Sequence, residues 1–166
     1  GFPRPTLAPE TSRPPDEAPG SVDGPMFPGL AIAAETRSGF LQFVPDEPGV
    51  GRSLEHYGEW LQPRLDVALG FVRRGSVLIE AAAGAGAHVL PLARATGAEG
   101  VLLCFESRAA FRRLLAQNLA AHRITHVAVM ARALGGAGSA PGTESVDGLG
   151  LARLDGIKVN EGADAV

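Results

Sequence analysis

Residues 76–88 read S-V-L-I-E-A-A-A-G-A-G-A-H. Three apolar residues, Val77, Leu78 and Ile79, end at an acid, Glu80, and a run of alanine and glycine follows. A helix-compatible segment begins at His88. The order strand, small-residue turn, helix constrains the fold more than any other stretch of the chain. Glycine admits φ > 0, and glycine and alanine together leave room for a ligand to approach the backbone. The helix beyond opens with unpaired N–H groups directed at whatever occupies the turn. In an open α/β sheet, ligands sit beyond the carboxyl ends of the strands. Ala82, Gly84 and Gly86 are therefore candidate binding positions, flanked by Glu80 and His88. The plainer alternative is a small-residue turn that serves only helix–strand packing.

The pattern repeats. Residues 101–105, V-L-L-C-F, form a continuous apolar run, as expected of a strand covered on both faces. This run also ends in an acid, Glu106, and Ser107 is placed to cap the next helix. Phe111, Leu114, Leu115 and Leu119 form that helix's buried stripe, with Arg108, Arg112 and Arg113 facing out or flanking it. Residues 127–131 predict a third strand, and the glycine-rich residues 135–142 a flexible loop. Residues 157–159 predict a fourth strand leading into Asn160, Glu161 and Gly162. Two strand–helix units followed by two more strands predict an α/β fold with a Rossmann-like, doubly wound, mainly parallel sheet, incomplete at the C-terminus.

Upstream, the chain divides near residue 28. Eight of its thirteen prolines lie in residues 1–28, a segment too poor in apolar residues to offset its ordering entropy. That predicts a disordered proline-rich arm, followed by one α/β domain over residues 29–166. Residues 39–44 alternate loosely, as in an edge strand or hairpin arm, and Pro45 to Gly49 is turn chemistry. Leu61, Leu65, Ala68 and Val72 then recur at helical spacing. Pro63 belongs in that helix's first turn, and Arg73, Arg74 and Gly75 end it.

Several classes are excluded. A net charge of −3 offers no bulk attraction to nucleic acid or anionic lipid. The single cysteine, Cys104, rules out an internal disulfide and lies in an apolar run, as a buried inert thiol would. No second histidine or cysteine lies near His88 in sequence, so no metal site is expected. No apolar stretch approaches the ~18 residues that span a bilayer, and no signal peptide is visible. A cytoplasmic protein is expected.

Two ligand classes use a loop like that of residues 80–88. The dinucleotide fingerprint G-x-G-x-x-G, started at Gly84, finds Gly86 but then meets Val89. An acid closing the strand before the glycines is more like the S-adenosylmethionine (SAM) methyltransferases. Glu106 fits either class, since an acid at the end of the second strand accepts hydrogen bonds from both ribose hydroxyls. Its alternative role is to cap the next helix.

Taken in order, the motifs resemble the FkbM-type SAM-dependent methyltransferases over roughly residues 39–166. The family's Y-G-E-W-like entry is Tyr57, Gly58, Glu59 and Trp60. Its acid-x-G-A-N-x-G-x-H loop runs from Glu80 to His88. Its A-F-E-P-like strand end is Cys104, Phe105, Glu106 and Ser107, and its L-x-x-N is Leu115 and Asn118. Its I-K-x-D-x-E-G appears as Ile157, Lys158, Val159, Asn160, Glu161 and Gly162. The resemblance implies a class I methyltransferase fold, SAM as cofactor, and methyl transfer to a hydroxyl of a small molecule, glycan or secondary metabolite. It puts Glu80 and the backbone of Ala82, Gly84 and Gly86 toward the methionine end and Glu106 toward the ribose, adds His88 and Ser107 to the cofactor-binding set, and sets Asn160 and Glu161 near the acceptor. The chain departs from the pattern at Glu80 (family Asp), Ala82 (family Gly), Gly84 (family Asn) and Asn160 (family Asp). A neutral amide is no general base. The other expectation is thus a non-catalytic remnant of the fold that serves as a binding or interaction module.

Overall fold

A computed structural model describes residues 30–135 and 141–160. The arm expected over residues 1–28 and the acceptor-side residue Glu161 lie outside the described residues. The chain opens with an antiparallel hairpin, β1 (Ile32–Thr36) and β2 (Gly39–Phe43), in register Thr36↔Gly39. Alternation decides which side of β2 is buried: Leu41 and Phe43 are fully inside while Phe40 is exposed. This is the hairpin arm read from residues 39–44.

Helix α1 (Val50–Tyr57) follows. The sequence reading passed over it because only Gly51 and Leu54 are buried, too few to print a stripe. Gly51 permits the contact: a Cβ there would lie 1.8 Å from the Val44 carbonyl oxygen. Helix α2 (Gln62–Phe71) carries Pro63 in its first turn, as expected. It begins after Leu61 and ends before Val72, so both ends of the anticipated stripe fall outside it. Val72 turns extended, and the Arg73 N–H is taken by Ser76 Oγ at 3.0 Å instead of continuing the helix.

The central sheet is β5 (Val127–Met130), β4 (Val101–Phe105), β3 (Val77–Ala81) and β8 (Gly156–Val159), in that order and parallel throughout. It is the Rossmann-like α/β sheet the repeated units predict. The order runs outward from β3 through β4 to β5 and then resumes on the other side of β3 with β8. Such a reversal opens a crevice at the carboxyl ends of the strands. Helix α3 (Val89–Thr96) joins β3 to β4, and α4 (Ala109–Ala121) joins β4 to β5. Gly97, at φ 67°, stops α3 where the sequence placed its end.

Strand β3 is two residues longer than its apolar run. Its ladder continues on both sides, Glu80 opposite Cys104 and Lys158, and Ala81 opposite Phe105 and Val159. Glu80 therefore sits inside the sheet and not at its tip. Two short strands, β6 (Ala133–Leu134) and β7 (Thr143–Glu144), pair in parallel on either side of the segment read as a loop, most of which lies outside the described residues.

One face of the sheet, with Leu78, Leu102 and Cys104, packs against Leu90 and Ala93 of α3 and Phe111, Leu115 and Leu119 of α4. Leu41 and Phe43 of β2 and Leu65 of α2 close the same core. Burial pushes the Cys104 thiol's pKa well up, the inert thiol expected. Among the described residues no helix is long and apolar enough to cross a membrane.

Candidate functional site

The loop after β3 is fixed before any ligand arrives. Ala83 N–H donates to the Phe105 carbonyl at 3.0 Å, which ties the loop to the end of β4. Gly86 sits at φ 101°, and a Cβ there would lie 2.8 Å from Leu115 Cδ1. Glycine is required at this point by both the backbone and the neighbouring helix. Ala82 also has positive φ, 55°, a conformation that costs an L-residue about 1–2 kcal/mol. The family glycine would adopt it freely.

A cavity of about 260 Å³ opens above this loop, lined by Ala82, Ala83, Gly84, Ala85 and Ala87, by Trp60 and Pro48, and by Glu47 and Arg108. Glu106 is buried and does not itself line the cavity, but it bonds two residues that do, Gly84 and Arg108. One carboxylate oxygen, Oε2, accepts from Gly84 N–H at 2.8 Å, so the acid ending the second strand and the glycine loop after the first do meet. The other oxygen, Oε1, accepts from Arg108 N–H at 2.9 Å. Arg108 occupies the N-cap position of α4, and the cap makes no side-chain bond to the helix. Ser107 stands one residue earlier, and its carbonyl accepts from Arg112 Nη1.

Arg108 does not face out. Its guanidinium turns back onto Glu106, with Nε 2.9 Å from Oε1 and Nη2 3.0 Å from Oε2, and reaches Glu47 Oε1 through Nη1 at 3.0 Å. Glu47 is a turn residue far away in sequence. Burial raises its carboxyl pKa, against the pull of Arg108.

A second group lies beneath the loop and does not line the cavity. Glu80 is fully buried. Its Oε1 accepts from Asn160 Nδ2 at 2.7 Å and faces Lys158 Nζ at 3.5 Å, while Oε2 has no partner among the described residues. Burial raises the Glu80 pKa, opposed by the Lys158 charge and the Asn160 hydrogen bond. Burial likewise lowers that of Lys158, opposed by Glu80. Asn160 gives its remaining amide hydrogen to the Ala82 carbonyl at 3.2 Å, and its Oδ1 accepts from Lys158. Both amide donors are thus engaged inside the protein.

His88 belongs to this group. Its ring stacks on Trp60 with centroids 4.6 Å apart and an interplanar angle of 20°. Its Nε2–H donates to the Trp60 carbonyl at 2.7 Å, and its Nδ1 is a buried acceptor with no hydrogen-bond partner among the described residues. Burial first, and then the Lys158 charge, lower its pKa to about 4. The ring is neutral at pH 7. No group of three or more His, Cys, Asp or Glu side chains suited to a metal ion occurs among the described residues.

The sequence-derived candidates thus divide. Ala82 and Gly84 line the cavity and Glu106 adjoins it, whereas Glu80, His88 and Asn160 brace the loop from below. Gly86 shapes the turn. Glu47, Trp60 and Arg108 complete the cavity wall. Trp60 belongs to the run Tyr57 to Trp60 singled out in the sequence. No spacing signal connects Glu47 with Arg108, because only the folded chain brings them together.

No family model matches the chain, and no curated protein matches it. Among solved structures it is similar to a SAM-dependent O-methyltransferase from Thermotoga maritima, at 18% identity and a TM-score of 0.42, over 62% of this chain and 49% of that one. It is similar to protein-L-isoaspartate O-methyltransferase at 15% identity and a TM-score of 0.46, over 81% of this chain and 35% of that one. An rRNA methylase from Streptococcus thermophilus matches at 15% identity and a TM-score of 0.40, over 44% and 39% of the two chains. The chain spans less than half the length of each of these structures.

Proposed function

We propose that the cavity above β3 and β4 binds S-adenosylmethionine, and that the chain is a SAM-dependent methyltransferase of the FkbM type acting on a hydroxyl of a carbohydrate or secondary metabolite. The observation that carries this reading is the 2.8 Å bond between Gly84 N–H and Glu106. It brings the glycine loop of one parallel strand and the terminal acid of its neighbour to one cavity edge. A nucleoside is held there through its ribose hydroxyls. The small side chains of Ala82, Ala83 and Ala85 leave room for a ligand to lie against the loop backbone, and no described cation other than Arg108 lines the cavity to hold a pyrophosphate. The motif run from Tyr57 to Gly162 supports the FkbM-type assignment and the hydroxyl acceptor.

In this reading the bound cofactor supplies an activated methyl group. The chain's part is to orient the cofactor and acceptor, since a sulfonium is already a good leaving group. Asn160 stiffens the loop through Ala82, and Glu161 is the acid proposed to accept the acceptor's proton.

A second reading has one observation in its favour. Both amide donors of Asn160 are engaged by Glu80 and Ala82, and the one acid lining the cavity, Glu47, is paired with Arg108. Among the described residues that line the cavity this leaves no carboxylate without a cationic partner, as in a non-catalytic binding module built on the same fold. Calorimetric titration with SAM, S-adenosylhomocysteine and NAD, followed by a methyl-transfer assay on hydroxylated acceptors, tests both. Binding of the two adenosyl sulfur compounds with turnover is the expected result. Binding without turnover would favour the module, and binding of NAD alone would overturn both readings.

A further inference from the structure

The carboxylate that should receive the ribose is already saturated. Glu106 accepts four hydrogen bonds: Gly84 N–H and Arg108 Nη2 on Oε2, Arg108 N–H and Nε on Oε1. A carboxylate has about four lone-pair positions, so none is left. Two of the four donors are backbone and permanent. The other two belong to one guanidinium, which can leave. That guanidinium is well seated: its side chain is 15% exposed and its Cζ stands 3.7 Å from the Phe111 ring centroid.

A second seat adjoins it. Arg108 Nη1 bonds Glu47 Oε1 at 3.0 Å, while Glu47 Oε2 is buried with no partner among the described residues. Glu47 therefore holds half of a bidentate pair, and its second oxygen has no donor among the described residues. Glu47 and Arg108 both line the cavity.

We propose that Arg108 sets the affinity and selectivity of this cavity: its guanidinium stands in for the ribose diol on Glu106, and an adenosyl ligand gains both ribose bonds only when Arg108 moves fully onto Glu47. A guanidinium fork and a vicinal diol satisfy a carboxylate in the same two-pronged way, but the guanidinium bonds are charge-assisted and stronger. Glu47 Oε2 makes the exchange feasible, because the displaced cation keeps a bidentate carboxylate partner and never stands alone in the wall. The inference rests on the adenosyl reading of the cavity and adds what controls entry to it.

The test is calorimetric titration of the full chain with S-adenosylhomocysteine and with its 2′,3′-dideoxy analogue. In the wild type, deleting the hydroxyls changes affinity less than about 3-fold, since the analogue binds without displacing Arg108. Arg108→Met binds S-adenosylhomocysteine at least 10-fold tighter than wild type, a gain of about 1.4 kcal/mol, and loses at least 10-fold when the hydroxyls are deleted. Glu47→Gln, which weakens the second seat, lowers affinity several-fold when Arg108 is present and has no effect in the Arg108→Met background. That dependence on Arg108 is one that a general loss of folding would not reproduce. Should Arg108→Met fail to fold, Arg108→Gln replaces it, with the same sign expected. A folded Arg108 variant that binds no tighter than wild type, or an effect of Glu47→Gln that persists without Arg108, overturns the role of Arg108 alone. Absence of adenosyl binding in every folded variant overturns the adenosyl reading and this inference with it.

Discussion

Asn160 Nδ2 donates to Glu80 Oε1 at 2.7 Å, across the ends of two adjacent parallel strands. The pairing explains why an amide is suited to the position where the resembled family has a carboxylate. Glu80 is fully buried, and a second carboxylate facing it would add repulsion where water cannot screen it. The same amide also holds the Ala82 carbonyl, so the residue at the end of β8 fixes the first turn of the glycine loop.

An acid at this position therefore costs stability. Asn160→Asp loses both donated bonds and sets two carboxylates together, with Lys158 offsetting part of the repulsion. The expected loss is about 2 kcal/mol at pH 7. Any proton shared by the new pair is bound more tightly in the folded state, so the loss shrinks as pH falls toward 5. Urea unfolding of both proteins at the two pH values checks this, and an unchanged or raised stability at pH 7 would contradict it.

His88 makes stability fall in mild acid. Its pKa is about 4 when folded against an ordinary value of 6.5, so the unfolded chain binds its proton first. The contribution is intact above pH 6.5 and is lost as pH falls from 6.5 through 4. At about 1.4 kcal/mol per unit the limit is on the order of 3 kcal/mol. Glu47 and Glu80, whose carboxyl pKa values are raised, act oppositely, since they favour the folded state at low pH. Comparison with His88→Gln removes their share. The difference in unfolding free energy between the two proteins should change between pH 6.5 and 4 and be flat above 7.

Asn118 is a structural clamp inside α4. Its Oδ1 accepts from Gln42 N–H at 2.8 Å, and its Nδ2 donates to the Gln42 and Ala85 carbonyls at 2.9 and 2.8 Å. One amide thus ties the hairpin, the helix and the glycine loop. Asn118→Leu, branched alike at Cγ but larger and without polar atoms, strands backbone groups of Gln42 and Ala85 and should cost about 3 kcal/mol. Chemical denaturation measures it, and a change below 1 kcal/mol would show that water or backbone shifts replace the clamp.

Two changes in the loop should move stability in opposite directions. Gly86→Ala meets Leu115 at 2.8 Å with φ at 101° and should lose about 2 kcal/mol or more. Ala82→Gly releases a residue held at φ 55° and should gain about 0.5–1 kcal/mol, the relief of strain outweighing the added freedom of the unfolded chain. Thermal unfolding of the two variants should bracket the wild type.

Much of the fold is legible from local signals. The continuous apolar runs of β3 and β4, the helix stop at Gly97 and the stripe of Phe111, Leu115 and Leu119 each depend on neighbours within a turn or a strand. Helix α1 was not legible, because its burial rests on Leu54 and on the close approach of Gly51 to Val44. The true length of β3 was hidden too. Glu80 is a poor strand residue by propensity, and its place in the ladder comes from the pairing with Cys104 and Lys158 on either side.

The sequence alone determined the alternation of β3, α3, β4, α4 and β5, the small-residue loop after the first of these strands and the acids that follow the apolar runs. These are properties of periodicity and composition, felt over a few residues. The tertiary structure decided what each acid does. Glu80 went under the loop to Asn160 and Lys158, and Glu106 went to the cavity edge under Arg108 and Glu47. The pairings of Glu80 with Lys158 and Asn160, and of Arg108 with Glu47, join residues about 60 to 80 positions apart in sequence. A carboxylate's role depends on which donors and charges surround it once water is excluded, and that is settled only when the strands are side by side.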